Sequence, residues 1–432
     1  VAIGQQALQT EDVSAGNVAI GYQALKVQNT DSSNNVAIGF QAGVALNGST
    51  DSVYVGYKAA GVGVVTGDYN VAMGVNAALN ATAMSYSVFI GPNAGGAGVI
   101  EGASNTVIGS AAGNDLTTGH SNVFMGRYAG FEATDAEHNV VIGNGAVDAT
   151  NATGFKQNVI IGSDACGAGA LDNASATQGM NNVVLGYKAG FDMTVGEKNI
   201  LIGTSAGENI TEGGSNIAIG KGALDAANGT GSGAESYNVA IGEDAMGSET
   251  SGAKHCVAIG NLALTSQNAD VKNTAVGGSA GTSITSGNSN TFVGYGSGYN
   301  ATLGDNNTGI GHNALGGGNL TDAGDTAVQG CNNVALGYGA GYDLSTGARN
   351  IVIGTDAGAN LTDNQNNIAI GHGALDGCNG GEHYNIAIGA NALGSDIAGS
   401  DACIAIGEQA LTAQNASAIN LAIGHTAGAS IT

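Results

Sequence analysis

Residues 34–43 read NNVAIGFQAG, and near copies of this phrase return along the whole 432-residue chain. Taking the glycine that closes each copy as a marker, the phrase occurs 24 times, from Gly4 through Gly39 to Gly424. Most intervals between markers are 17 or 18 residues; one is 19, and three are 22, 24 and 26. Self-similarity at a fixed short period is the signature of a repeat architecture.

Each place around the marker has its own chemistry. The residue just before the glycine is always aliphatic. Three before it stands Val, Ile or Thr, with Leu421 as the exception; three after it stands Ala, with Ser297 as the exception. Four before it stands Asn in 19 of 23 copies, replaced by Ser52, Ser87, Cys256 and Cys403. A short, β-branched, glycine-terminated run reads as a strand. Helix is excluded, because a unit this rich in Gly and Asn could not sustain one.

A unit of 17–18 residues has room for two short strands and two turns, but none could bury an apolar face alone. Stacked coils bury it, so the predicted fold is all-β: a parallel β-roll or β-solenoid of about 24 coils, rising roughly 4.8 Å per coil, or about 115 Å. Alternate strand residues share a face. Val36 and Ile38 are therefore expected to fill the coil, with Ala37 on the opposite face, against a neighbouring subunit. A monomeric solenoid whose far wall covers that face is the other reading. The closing glycine is expected to turn with φ > 0. The alanine three residues on marks a place where a second strand or subunit approaches closely. Turns such as TTGHSN (117–122) and TEGGSN (211–216) suit left-handed corners. Stacked asparagines predict a hydrogen-bonded ladder. Its members include Asn17, Asn35, Asn70, Asn105, Asn122, Asn139, Asn158, Asn182, Asn199, Asn216 and Asn238.

A longer period overlies the short one. Residues 181–225 match residues 332–376 at a distance of 151 residues, eight coils on. Residues 1–432 are thus expected to form one continuous repeat region with an eight-coil super-repeat at 181–331 and 332–432. The chain opens and ends within the phrase, which suggests a piece of a longer polypeptide.

Composition agrees. The chain has 76 Gly but no G-X-Y period, so it is not collagen, and its Val and Ile content is too high for a disordered tract. Ten basic against 34 acidic residues give a net charge of −24. Such a chain repels nucleic acid and anionic membranes and attracts cations weakly. No run is long enough to span a bilayer, so no membrane insertion is expected. Five cysteines without a C-x-x-C pair give no zinc or redox signature. Cys256 and Cys403, on the ladder, are expected to be buried.

SNNVAIGFQA (33–42), SNIAIGKGA (215–223) and YNIAIGANA (384–392) resemble the head repeats of trimeric autotransporter adhesins, and similar phrases occur in bacteriophage tail-fibre proteins. The resemblance covers all 24 coils. It implies a left-handed parallel β-roll, a homotrimer of wound chains, and an extracellular role at a virion or bacterial surface. The expected function is a structural fibre shaft for attachment, foremost a phage tail fibre or comparable filament. The head of a bacterial adhesin is the alternative. A polysaccharide-degrading β-helix enzyme or an ice-binding solenoid fits less well, for want of a charged cleft or a flat threonine array.

No catalytic or cofactor-binding constellation stands out. Glycine strings resembling nucleotide loops are bound to occur here, and no βαβ unit surrounds them. The place after the marker is varied, holding His312, His372 and His425 and also Tyr22, Tyr57, Tyr187, Tyr295 and Tyr338. That variety marks an exposed site, and its tyrosines are candidate contacts for a host receptor or glycan. Acidic turns at TGDYN (66–70), LGDNN (303–307) and LTDNQNN (361–367) are weak candidates for Ca²⁺. The long intervals, centred on 167–180, 225–236 and 316–331, are candidates for recognition.

Overall fold

The computed structural model of the protein describes residues 1–432 except 12–14, 30, 149–154, 169–178, 226–235, 249–251, 268–270, 322–329, 378–379, 396–400, 413–418 and 431–432. The chain forms two compact units, Val1–Ser215 and Asn216–Thr432. Each is an all-β parallel solenoid, and no helix occurs among the described residues. In the first unit, twelve short strands from Ala2–Ile3 to Ile200–Ile202 pair in sequence, each with the strand one coil on. The second unit repeats this with twelve strands from Ile217–Ile219 to Leu421–Ile423. Register never slips: Val36 pairs Val53, Ala37 pairs Tyr54 and Ile38 pairs Val55.

One strand per coil is the rule, not two. Among the described residues a second parallel sheet forms only in the first coils, from Thr10–Glu11, Val27–Asn29 and Ala45–Asn47, with isolated parallel bridges such as His120 to Glu137 and Ser236 to Lys254 further on. Elsewhere the far wall is built of turns. Left-handed residues flank the main strand at fixed places, such as Gln41 (φ 56°) and Asn34 (φ 62°). The turns are still tied coil to coil, as where Gln41 N donates to Tyr22 O at 2.8 Å and Lys58 N to Phe40 O at 2.8 Å.

The strand face that lies inside is the opposite of the one expected from alternation. Ala37 is fully buried, whereas Val36 is half-buried and Ile38 is 38% exposed. The same pattern holds in every three-residue strand: the central residue is buried and its neighbours stand outside. The reason is room. Nearly every coil also turns an alanine inward three residues after the glycine, Ser297 being the exception, and Ala42 is buried within its own coil's turn. Ala42 N donates to Gly39 O at 3.4 Å, so the small side chain serves a tight turn. Only one strand side chain fits the remaining space.

That space is shared reciprocally with the residue six places further on. Phe89, Phe124 and Phe292 each face a glycine there: a Cβ on Gly95, Gly130 or Gly298 would fall 2.6, 3.0 or 2.5 Å from the ring. Where the strand offers Ala218, Ala258, Ala369 or Ala387, a buried Leu224, Leu264, Leu375 or Leu393 takes the volume. Interiors are packed to near crystal density, so one large and one small partner is the arrangement that fits. Tyr54, the largest buried polar ring, brings its hydroxyl within 3.4 Å of Ser49 Oγ.

The closing glycines lie at φ +127° to +152°, outside ordinary L-residue space. At Gly109 (φ +142°) a Cβ would stand 2.3 Å from the carbonyl oxygen of Gly126. Gly109→Ala therefore meets both backbone strain and a clash with main chain that cannot yield. We expect it to cost about 2–3 kcal/mol or more, read as a lowered urea midpoint; an unchanged midpoint would contradict this account.

Candidate contact surface

The asparagine column is internal and structural. Asn35 N donates to Asn17 Oδ1 at 2.8 Å, and Asn35 Nδ2 donates to Ser49 O at 2.8 Å. Through Asn105, Asn122, Asn139, Asn158, Asn182 and Asn199, each Oδ1 accepts the backbone N–H of the next member at 2.9–3.1 Å. The linkage differs from a pure side-chain ladder. The main contact is carbonyl oxygen to backbone N–H, and the amide nitrogen turns to a loop carbonyl, as in Asn70 to Met84 O at 2.9 Å. In the second unit Asn238 N donates to Asn216 Oδ1 at 3.1 Å, and Cys256 N to Asn238 Oδ1 at 3.0 Å. Where serine stands in the column, the hydroxyl takes over as acceptor: Ser52 Oγ from Asn70 N and Ser87 Oγ from Asn105 N.

The cysteines lie inside. Cys166, Cys256, Cys331 and Cys403 are buried thiols, and burial pushes that of Cys166 far above its usual range. Cys378 lies outside the described residues, as do 169–178, 226–235 and 322–329, the greater part of the three long intervals.

The outer surface carries the aromatic side chains. Tyr22, Phe40 and Tyr57 stack along successive coils with centroids 5.0 and 5.2 Å apart. Tyr295, His312 and Tyr338 form a second stack, at 5.4 and 5.1 Å. Tyr187 stands in no such stack among the described residues; its ring is met by Lys188 Nζ at 5.9 Å. His372 is exposed, and His425 lies 3.8 Å from Glu408. A second row, on the residue before the asparagine, brings Tyr69 to Tyr86 and Tyr237 to His255, both at 5.1 Å. The sequence analysis missed this row, although its spacing is the same as that of the first.

The acidic turns are occupied by main chain. Asp68 accepts from Thr50 N at 2.7 Å, Asp305 from Asn288 N at 2.7 Å, and Asp363 from Gly381 N at 2.9 Å. Among the described residues no group of three or more His, Cys, Asp or Glu is placed to hold a metal ion. Two carboxylates do converge over Gly145, where a Cβ would fall 2.7 Å from Asp164 Oδ1 and 3.4 Å from Asp148 Oδ2. Burial, and then the charge of Asp164, raise the carboxyl of Asp148 above its usual range.

The second unit also holds a cavity of about 280 Å³ lined by Asn313, Tyr338, Gly339, Tyr342, Asp356 and Ala359. The sheet face also presents apolar side chains. In each unit the residues flanking the buried strand centre form two aliphatic columns, such as Val140, Val159 and Val183 beside Ile142, Ile161 and Leu185.

No protein-family model and no curated protein sequence matches the chain.

Two predictions follow from hydrogen bonding and charge. Asn122→Ala leaves the buried Asn139 N–H without its acceptor and takes from Ala136 O one of its two donors, the other being His120 N, and should cost roughly 2 kcal/mol in urea unfolding; a loss no larger than that of an exposed Asn→Ala change would refute it. Asp148→Asn should be stabilising. A carboxyl raised by the fold disfavours the folded state when ionised, and this penalty disappears as pH falls below its unfolded value. The variant should therefore gain about 0.5 kcal/mol at pH 7 after solvent screening, and nothing at pH 3.

Proposed function

We propose that this chain is the shaft of an extracellular fibre used for attachment, foremost a bacteriophage tail fibre or comparable surface filament, assembled from three copies of itself. The head of a bacterial trimeric adhesin is the related reading, with the same repeat and the same assembly. The observation that carries the proposal is the outward aliphatic face. In each unit, twelve rows of half-exposed Val, Ile, Leu, Met and Thr run in register, where a sheet exposed to water alone would alternate with polar residues. Exposed apolar faces of this extent mark contact sites.

A second copy is the partner that fits. The face repeats once per coil, and a surface of equal period can match it row by row. Twelve rows about 4.8 Å apart and one short strand wide offer roughly 600 Å² per unit. Paired with an equal surface, that is about 1,200 Å², the lower edge of stable interfaces. The contact lies on the Val36 and Ile38 side, since Ala37 is enclosed. The net charge of −24 supports an exposed, well-hydrated outer surface around such an assembly.

Light scattering should give three chains per particle, and a monomeric mass at micromolar concentration would overturn the assembly. Ile142→Glu and Ile161→Glu together place charge on two adjacent rows. They should yield monomers with an unchanged far-ultraviolet circular dichroism spectrum. Trimers that persist in this variant would place the contact elsewhere.

A further inference from the structure

Two versions of one surface turn stand 151 residues apart in the sequence, and they differ in where their charges lie. In the first unit Tyr187 and Phe191, four residues apart around one turn, hold Lys188 between them. Its Nζ lies 5.9 Å from the Tyr187 centroid and 4.9 Å from that of Phe191, and 3.8 Å from Glu208 of the next coil. The counterparts 151 residues on are Tyr338, Tyr342, Gly339 and Ala359. The two rings are kept, and the lysine is absent. The space it would take is part of the 280 Å³ cavity. The negative charge is kept too, but moved. Glu208 becomes Ala359, while Ser205 becomes Asp356, and a Cβ on Gly339 would fall 2.4 Å from Asp356 Oδ1.

We propose that the slot between Tyr338 and Tyr342 binds a small organic cation of the ammonium class, which takes the place that the Lys188 ammonium holds in the first unit. Aromatic faces attract ammonium groups through their quadrupole, and a carboxylate beside them adds a direct charge. Asn313 supplies an amide at the rim. His312 stacks on Tyr338 at 5.1 Å, and at the matching place of the next coil stands Thr355, not an aromatic ring. The neighbouring Tyr295-Gly296-Tyr299 has the same aromatic-glycine pattern. There His312 stacks on Tyr295 at 5.4 Å and Asn313 replaces the carboxylate, so the combination of open ring and charge is lost. The slot lies within one unit of one chain, and its ligand does not depend on the fibre reading.

The test is titration of the intact protein with choline and tetramethylammonium, followed by proton NMR of the ligand methyl groups. Glucosamine, followed by the proton on its amine-bearing carbon, is a third probe, for a primary ammonium. The neutral isostere 3,3-dimethylbutanol is the control. Saturable upfield shifts are expected for choline and tetramethylammonium, with the isostere about tenfold weaker or more. Saturable binding of glucosamine at the same slot extends the site to primary ammonium groups, and its absence restricts the site to methylated ones. Tyr338→Ala and Asp356→Asn, both on the surface, should each weaken binding while leaving circular dichroism unchanged. Gly339→Lys supplies a tethered cation and should abolish binding. Lys188→Gly opens the slot at Tyr187 and Phe191, and should raise the number of sites from one to two per chain. Equal binding of the isostere, binding that survives Tyr338→Ala and Gly339→Lys, or no saturable shift at all would overturn the proposal.

Discussion

Most coils are registered on the next by an amide that accepts one main-chain N–H and donates to a main-chain carbonyl of the following loop. Asn122 shows the whole device: its Oδ1 takes Asn139 N–H, and its Nδ2 reaches Ala136 O. Both bonds are buried, where an unmade hydrogen bond costs most. Neither Asp nor Leu could replace it, since one cannot donate and the other can do neither. Because the accepted N–H belongs to the next strand's leading residue, the device fixes height and register together. Everything that depends on vertical alignment, including the core columns and the aromatic stacks, inherits its precision from there.

The narrow interior explains the apolar exterior. With an alanine turned in at one corner and a single strand side chain facing it, a coil cannot enclose its own Val and Ile. Those side chains remain on the strand for conformational reasons as well as for packing, because β-branched residues favour extended backbone. The result is a solenoid whose coils are tied together by main-chain and amide hydrogen bonds and whose aliphatic strand residues stay half-exposed. Stability within a coil stack therefore rests on amides, glycines and reciprocal core volumes, and the aliphatic columns are left as the surface on which the proposed association between chains would rest.

Much of this was legible in the sequence, because a 17-residue period with fixed chemistry at each place leaves few folds open. The coil, the strand, the glycine corner and the asparagine column could all be read from spacing. The inner face could not be read from alternation, which says only that Val36 and Ile38 lie together. Interior volume decides which side they take. A signal for it was present: aromatic residues at the strand centre pair with glycine six places later, as Phe89 with Gly95, and alanine pairs with leucine, as Ala218 with Leu224. Residues that trade volume share a closed space. The second strand per coil was over-read: among the described residues a second sheet forms only from Thr10–Glu11, Val27–Asn29 and Ala45–Asn47. The slot at Gly339 was hidden because YKAGF (187–191) and YGAGY (338–342) look like variants of one surface turn. Only the position of the Lys188 ammonium shows what the glycine leaves open.

A repetitive scaffold places strong limits on where recognition can arise. Every coil offers the same backbone, so a site distinct from its neighbours must come from a longer insertion or from a change of side chain within an unchanged frame. The second route keeps the geometry exact. Tyr338 and Tyr342 are held by the same turn that holds Tyr187 and Phe191, and the ring separation is set before any ligand arrives. A site of this kind loses little conformational entropy on binding. It can also be acquired or closed by one substitution, since lysine at the middle place fills it from within. The two similar stretches, 151 residues apart, then hold both states in one chain: one that satisfies its own aromatic pair, and one able to take a cation from outside.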